Sequence, residues 1–149
     1  MLGLDLGTKR VGVAVSDPRG VLATPYTVLS RATRRAADHR AVADLVRELG
    51  VERVVVGLPL SLDGGTGPAA RSALEEADQL RRFLDVPVEL HDERLTTVAA
   101  DRFLMLMKMK AGDRRRVVDQ VAAAVLLQSW LDSQTVQSPP AGDDGGGDG

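Results

Sequence analysis

The sequence predicts an α/β fold with a mixed five-stranded sheet, antiparallel through its first three strands and parallel afterwards, flanked by helices. Three features carry this reading. Two alternating strand segments, Leu2–Leu6 and Val11–Ser16, meet across the turn signal Gly7-Thr8-Lys9. Apolar runs rich in valine then alternate with amphipathic helical stretches, and clusters of turn residues punctuate them. Strands that come first in sequence pair as hairpins, whereas strands separated by helices need crossovers and lie parallel.

The elements follow in order. Leu2, Leu4 and Leu6 share one strand face, while Gly3, Asp5 and Gly7 share the other. The second strand repeats this with Val11, Val13 and Val15 against Gly12, Ala14 and Ser16. Leu22 to Leu29 reads as a third strand, and Pro25 places it at an edge or makes it irregular. Ala36 to Leu49 is helical, with Ala41, Leu45 and Leu49 on one face beside Val42 and Val46, and Gly50 ends it. Arg53 to Gly57 is too uniformly apolar for a half-exposed strand. A turn-rich loop follows from Leu58 to Pro68, then a helix from Ala69 to Leu84 and a strand from Val86 to His91. A helix from Thr96 or Thr97 to about Met109, a basic loop, and a last helix from about Arg115 to Leu131 complete the pattern. The segment 1–132 is expected to form one domain, and 133–149, rich in Pro, Gly and Asp, a disordered tail.

Composition narrows the function. The 149 residues carry no cysteine, so a disulfide framework and thiolate metal sites are excluded, which suits a reducing cytoplasm. With only His39 and His91, a structural zinc site is not expected. Neither a signal peptide nor a membrane span is expected, since no apolar run approaches about 20 residues. The net charge is −2, yet leaving out the three acids of the tail gives 19 basic against 18 acidic residues. Five cations, Lys108, Lys110, Arg114, Arg115 and Arg116, lie close together against one Asp113. Beside a catalytic carboxylate, such a cluster is a candidate for phosphate contact.

Three acids stand out. Asp5 is the only large polar group on a nearly bare strand face, where a carboxylate is costly unless paired, hydrogen-bonded or bound to an ion. Its alternatives are a turn cap or an ion pair with Lys9 or Arg10. Asp119 shares a helical stripe with Ala122, Ala123, Leu126, Leu127 and Trp130, which puts it on the face toward the sheet. An acid favoured by the helix dipole is the plainer account of it. The third comes from Asp92-Glu93 at a strand's C-terminal end, where ligands of open α/β sheets sit. Adjacent extended residues diverge, so one of the two faces the site, and the pattern does not choose between them. Three acids without His or Cys suit a hard cation such as Mg2+ or Mn2+. No Gly-x-Ser-x-Gly, Walker A or Gly-x-Gly-x-x-Gly motif occurs.

Four blocks in order, Leu4–Ala14, Val55–Leu60, Leu90–Thr97 and Val118–Gln128, resemble the YqgF family over essentially Leu2 to Asp132. These bacterial proteins have a ribonuclease H-like fold and are described as Holliday junction resolvases or as nucleases that mature the 5′ end of pre-16S rRNA. The resemblance implies an acidic catalytic and metal-holding triad at Asp5, Glu93 and Asp119, and so selects Glu93 over Asp92. It implies a cytoplasmic enzyme acting with a divalent metal on structured RNA, such as pre-rRNA, or on branched DNA. A Ser often follows the last Asp in that family, where this chain has Gln120. Lys9, Arg10, Arg94, Arg114, Arg115 and Arg116 are the expected nucleic-acid contacts, and a monomer or weak homodimer is expected. Two other classes compete. Asp5-Leu-Gly-Thr8 also resembles the first phosphate loop of actin-like and sugar-kinase phosphotransferases, but those need two domains. A non-catalytic RNA- or partner-binding module would have no reason to keep three carboxylates that repel phosphate.

Overall fold

The computed structural model describes residues 1–61, 63–96 and 111–137, without side-chain detail at 96, 111–120 and 135–137. The helix expected up to Met109 and the tail from Ser138 lie outside the described residues. Five strands form one sheet: β1 (Leu2–Leu6), β2 (Arg10–Ser16), β3 (Ala23–Ser30), β4 (Val54–Leu58) and β5 (Val88–Asp92), in the spatial order β3-β2-β1-β4-β5. β1 pairs antiparallel with β2, and β2 with β3; β1 pairs parallel with β4, and β4 with β5. This is the mixed sheet that the sequence predicts. β3 is an edge strand, and its register with β2 shifts between Val13 and Ala14, close to Pro25, whose missing N–H interrupts the ladder.

Among the described residues the helices are α1 (Arg35–Leu49), α2 (Pro68–Phe83) and α3 (Ala111–Gln137), with a 3₁₀ turn at Glu93–Thr96. Gly50 closes α1 with φ of 63° and ψ of 36°, a left-handed cap that glycine adopts without strain. Pro68 opens α2, where its lack of an N–H costs nothing.

Two cores sandwich the sheet. On one face Leu2, Leu4, Val11, Val13, Val54 and Val56 pack with Val42 and Val46 of α1 and with Ala77 and Leu80 of α2. On the other, Ala14 and Val55 pack with Ala123, Ala124, Leu127 and Trp130 of α3. α3 comes so close to β1 that a Cβ on Gly3 would lie 2.8 Å from Leu127 Cβ. The bare strand face read from the sequence is thus the seat of the last helix. Because Leu127 meets Gly3 while Trp130 lies under the guanidinium of Arg53, just before β4, α3 runs antiparallel to β1.

Two expectations change. The last helix is longer than expected at both ends: α3 already begins at Ala111, so Arg114 is helical and not in the basic loop, and it continues to Gln137, so 133–137 are helical and not part of a tail. Asp113 in its first turn favours this start through the helix dipole. The buried stripe of α1 is Asp38, His39, Val42, Ala43 and Val46, whereas Leu49 is exposed. Polar partners described below draw Asp38 and His39 inward and rotate the helix away from its purely aliphatic face.

Candidate active site

Asp5 ends the exposed-to-cleft side of β1, one residue after Leu4, which pairs with Val56 in β4. Gly57 follows Val56 and pairs with His91 in β5, two residues before Glu93. The C-terminal ends of three neighbouring parallel strands therefore bring Asp5, Gly57 and Glu93 together, the position where open α/β sheets hold ligands. Gly57 matters sterically. A Cβ there would sit 3.0 Å from both Cγ and Cδ of Glu93 and closer still to Oε2. Only a glycine leaves room for this carboxylate to lie across the end of β4.

Burial pushes the Glu93 carboxyl above the usual carboxylate range, and the negative charges of Asp5 and then Asp92 push it the same way. Like charges gathered at a half-buried site make ionisation costly. Asp92 is turned differently. Its carboxylate accepts from the Arg94 backbone N–H at 2.9 Å and from Arg94 Nη2 at 2.6 Å, and those bonds hold its pKa down. Of the two adjacent acids, Glu93 joins Asp5 and Asp92 pairs at the rim. Asp119 lies in α3 one turn before Ala123. Since α3 runs antiparallel to β1, the helix carries residue 119 toward the end of the strand that bears Asp5; its side chain is outside the described residues. Among the described residues no three metal-ligating side chains cluster.

A cavity of about 210 Å³ is lined by Asp5, Gly7, Thr8, Lys9, Arg10 and Gly12. Lys9 on the β1–β2 turn and Arg10 at the start of β2 thus line the same cavity as the acid. Arg94 faces the loop after β4, where a Cβ on Gly64 would lie 3.4 Å from its Nη1. Arg114, Arg115 and Arg116 occupy the first turns of α3.

Sequence reasoning missed a second cluster beside these acids. Glu76 of α2 is 2% exposed. Arg31 grips both its oxygens, with Nη1 at 2.6 Å and Nη2 at 2.9 Å. Arg35 Nη1 donates at 2.7 Å, and His39 Nε2 lies 3.0 Å away. Burial raises the Glu76 pKa, but the hydrogen bonds from Arg31 and His39 and the charges of Arg31 and Arg35 outweigh it and hold the group low. Arg31 also donates from Nε to the Gly7 carbonyl oxygen at 3.0 Å, and its Nη1 reaches Asp38 at 3.2 Å. The cluster so pins the turn that carries Thr8, Lys9 and Arg10. No motif announces it; an Asp and a His next to the apolar stripe of α1 were the one available signal. On the opposite face, buried His91 and Ser129 lie 2.9 Å apart, and the Ser129 hydroxyl donates to the Leu95 carbonyl at 3.1 Å. These bonds tie β5 and the 3₁₀ turn to α3, which steadies Glu93.

Comparisons with known proteins agree with this geometry. The family described as "RuvX: Holliday junction resolvase" matches residues 1–133. A protein of Mycolicibacterium paratuberculosis (strain ATCC BAA-968 / K-10) named "Putative pre-16S rRNA nuclease" is 51% identical over 144 residues, covering 95% of this chain and 85% of its own. One of the same name from Roseiflexus sp. (strain RS-1) is 44% identical over 134 residues, covering 90% of this chain and 94% of its own. The solved structure "T. thermophilus RuvC in complex with Holliday junction substrate" matches with a TM-score of 0.57 at 15% identity, over 90% of this chain and 95% of that one. That likeness speaks for the fold, a ribonuclease H-like sheet with its helices. Over nearly its whole length, and with its carboxylates gathered at the strand ends, the chain belongs to the RuvX family, also called YqgF.

Proposed function

We propose that this chain is a divalent-metal-dependent nuclease of the cytoplasm that hydrolyses phosphodiester bonds at the 5′ end of pre-16S rRNA, an activity carried by residues 1–132. The observation that carries this is the Glu93 carboxylate lying in the space that Gly57 leaves open, within reach of the charge of Asp5. Two carboxylates held together at such electrostatic cost fit a hard, oxygen-seeking cation, and Asp119 would complete the set. A Mg2+ or Mn2+ ion bound there would supply charge to activate a water and to stabilise the departing oxygen. Asp5, Glu93 and Asp119 would hold the ion at the strand ends. Lys9, Arg10, Arg94, Arg114, Arg115 and Arg116 neutralise the flanking phosphates. The names of the curated relatives support the RNA substrate.

A second reading, cleavage of branched DNA, is favoured by the family's description and by the RuvC-like fold. A symmetric dimer would then be expected, because two strands are cut; the RNA reading needs only a monomer or weak homodimer. One assay separates them. Labelled pre-16S rRNA leader and a four-way DNA junction are incubated with the protein and Mg2+ or Mn2+. Metal-dependent cutting of the leader, lost in Asp5→Asn and Asp119→Asn, supports the proposal; cutting of the junction alone supports the second reading. A folded protein that binds either substrate and cuts neither would be a binding module.

A further inference from the structure

A second cavity, of about 160 Å³, adjoins the acids on the α1 and α2 side of the sheet. It is lined by Thr8 from the β1–β2 turn, Arg35 from α1, Ser72 from α2, and Gly57 and Glu93 from the strand ends, with Glu76 at its back. Thr8 and Gly7 line this cavity and the Asp5 cavity alike, so the two are lobes of one cleft across the end of β1. The lobes differ in character. The first holds Asp5 with Lys9 and Arg10, while Arg35 brings a guanidinium to the second, beside Glu93.

We propose that Arg35, with the Ser72 and Thr8 hydroxyls, forms a binding subsite for a backbone phosphate of the nucleic-acid substrate, next to the phosphate that is cut. Three observations support it. Glu76 already takes a two-pronged contact from Arg31, so it does not need Arg35 for neutralisation. Arg35 gives Glu76 a single nitrogen and keeps 52% of its side chain exposed toward the cleft. It also stands in the first turn of α1, where the helix dipole disfavours a cation. The geometry is that of an arginine anchored at one corner by a buried carboxylate and aimed outward by it, an arrangement that fixes the fork for phosphate. Hydroxyls of Thr8 and Ser72 supply neutral donors on either side. The substrate would cross the strand ends with one phosphate at the acids and its neighbour at Arg35.

This subsite rests on the nuclease reading, and one experiment tells their failures apart. Binding of labelled pre-16S leader RNA and of a four-way DNA junction to the full chain is measured without divalent metal, across a salt series. The variants are Arg35→Gln, Arg35→Lys and Ser72→Glu, and each is checked for folding by thermal melting. Arg35→Gln is expected to weaken binding and to flatten the slope of log affinity against log salt by about one, as for the loss of one phosphate contact. Arg35→Lys should keep the slope. Ser72 is on the surface, so Ser72→Glu leaves the Glu76 cluster intact and should weaken binding by repulsion. Unchanged affinity and slope in folded Arg35→Gln and in Ser72→Glu would overturn the subsite and leave the nuclease standing. Should Arg35→Gln not fold, Ser72→Glu decides in the same way. A wild-type chain that binds neither nucleic acid would overturn both.

Discussion

Glu76 and Glu93 are both glutamates drawn out of water, on two sides of the same cleft, in opposite surroundings. Glu76 lies between α1 and α2 with Arg31, Arg35 and His39 on its two oxygens. Glu93 lies at the end of β5 with burial and the charges of Asp5 and Asp92 against it. The first is held below its ordinary pKa and the second above it. Acids whose ionisation is supported by their neighbours hold a fold together; acids whose ionisation is opposed are kept for something that arrives later. In the proposed function that something is a cation.

The largest effect expected from this contrast is on Glu76. In Glu76→Ala, Arg31 stays buried without its main partner, a loss on the order of 3–5 kcal/mol. Denaturant unfolding should show it, and a variant as stable as wild type would mean that Asp38 alone satisfies Arg31.

Glu93→Gln should behave in the reverse manner. Metal-dependent cleavage should fall by at least about 100-fold, since even outer partners of metal ligands cost about 10–100-fold. Without metal, the melting temperature should rise, because an opposed charge has been removed. Full cleavage by this variant would take Glu93 out of the site.

Gly57→Ala sharpens the comparison by spoiling the cradle without touching a charge. The added methyl group displaces the Glu93 carboxylate, at a stability cost of about 1–3 kcal/mol. A misplacement of about 1 Å can cost about 100-fold in rate. A variant that cuts normally would show that the acid can lie elsewhere.

The smallest effect is in pH dependence. The folded-state pKa of Glu93 exceeds its unfolded value, so its ionisation costs stability above that folded value. The gain from Glu93→Gln in metal-free protein should therefore be largest at neutral pH and fade as the pH falls and wild type takes up the proton. Glu76 has the opposite sign: its contribution is present at neutral pH and lost as the pH falls through its lowered folded pKa. A Glu93→Gln gain that grew toward acid would reverse the assignment.

How much of this was legible follows from the range of the interactions. Asp5 stands out because its strand neighbours are apolar or bare, a local signal that survives into the fold. The strand directions were legible for the same reason, as the strand and helix periods that separate hairpins from crossovers are local. The choice between Asp92 and Glu93 was not, since it depends on Gly57, which meets Glu93 only after two parallel strands have paired. The Glu76 cluster joins residues separated by 45, 41 and 37 positions, with no motif between them. The start of α3 was misread because Ala111-Gly112-Asp113 has turn chemistry; the same Asp is equally at home in a first helical turn.

The central claim is that the opposed charge at Glu93 exists to be met by a divalent ion, and melting with and without Mn2+ tests it most directly. An ion that binds only the folded state raises the melting temperature in step with its concentration. Wild type should show that rise and Glu93→Gln should lose most of it. Equal rises in both proteins would contradict the account.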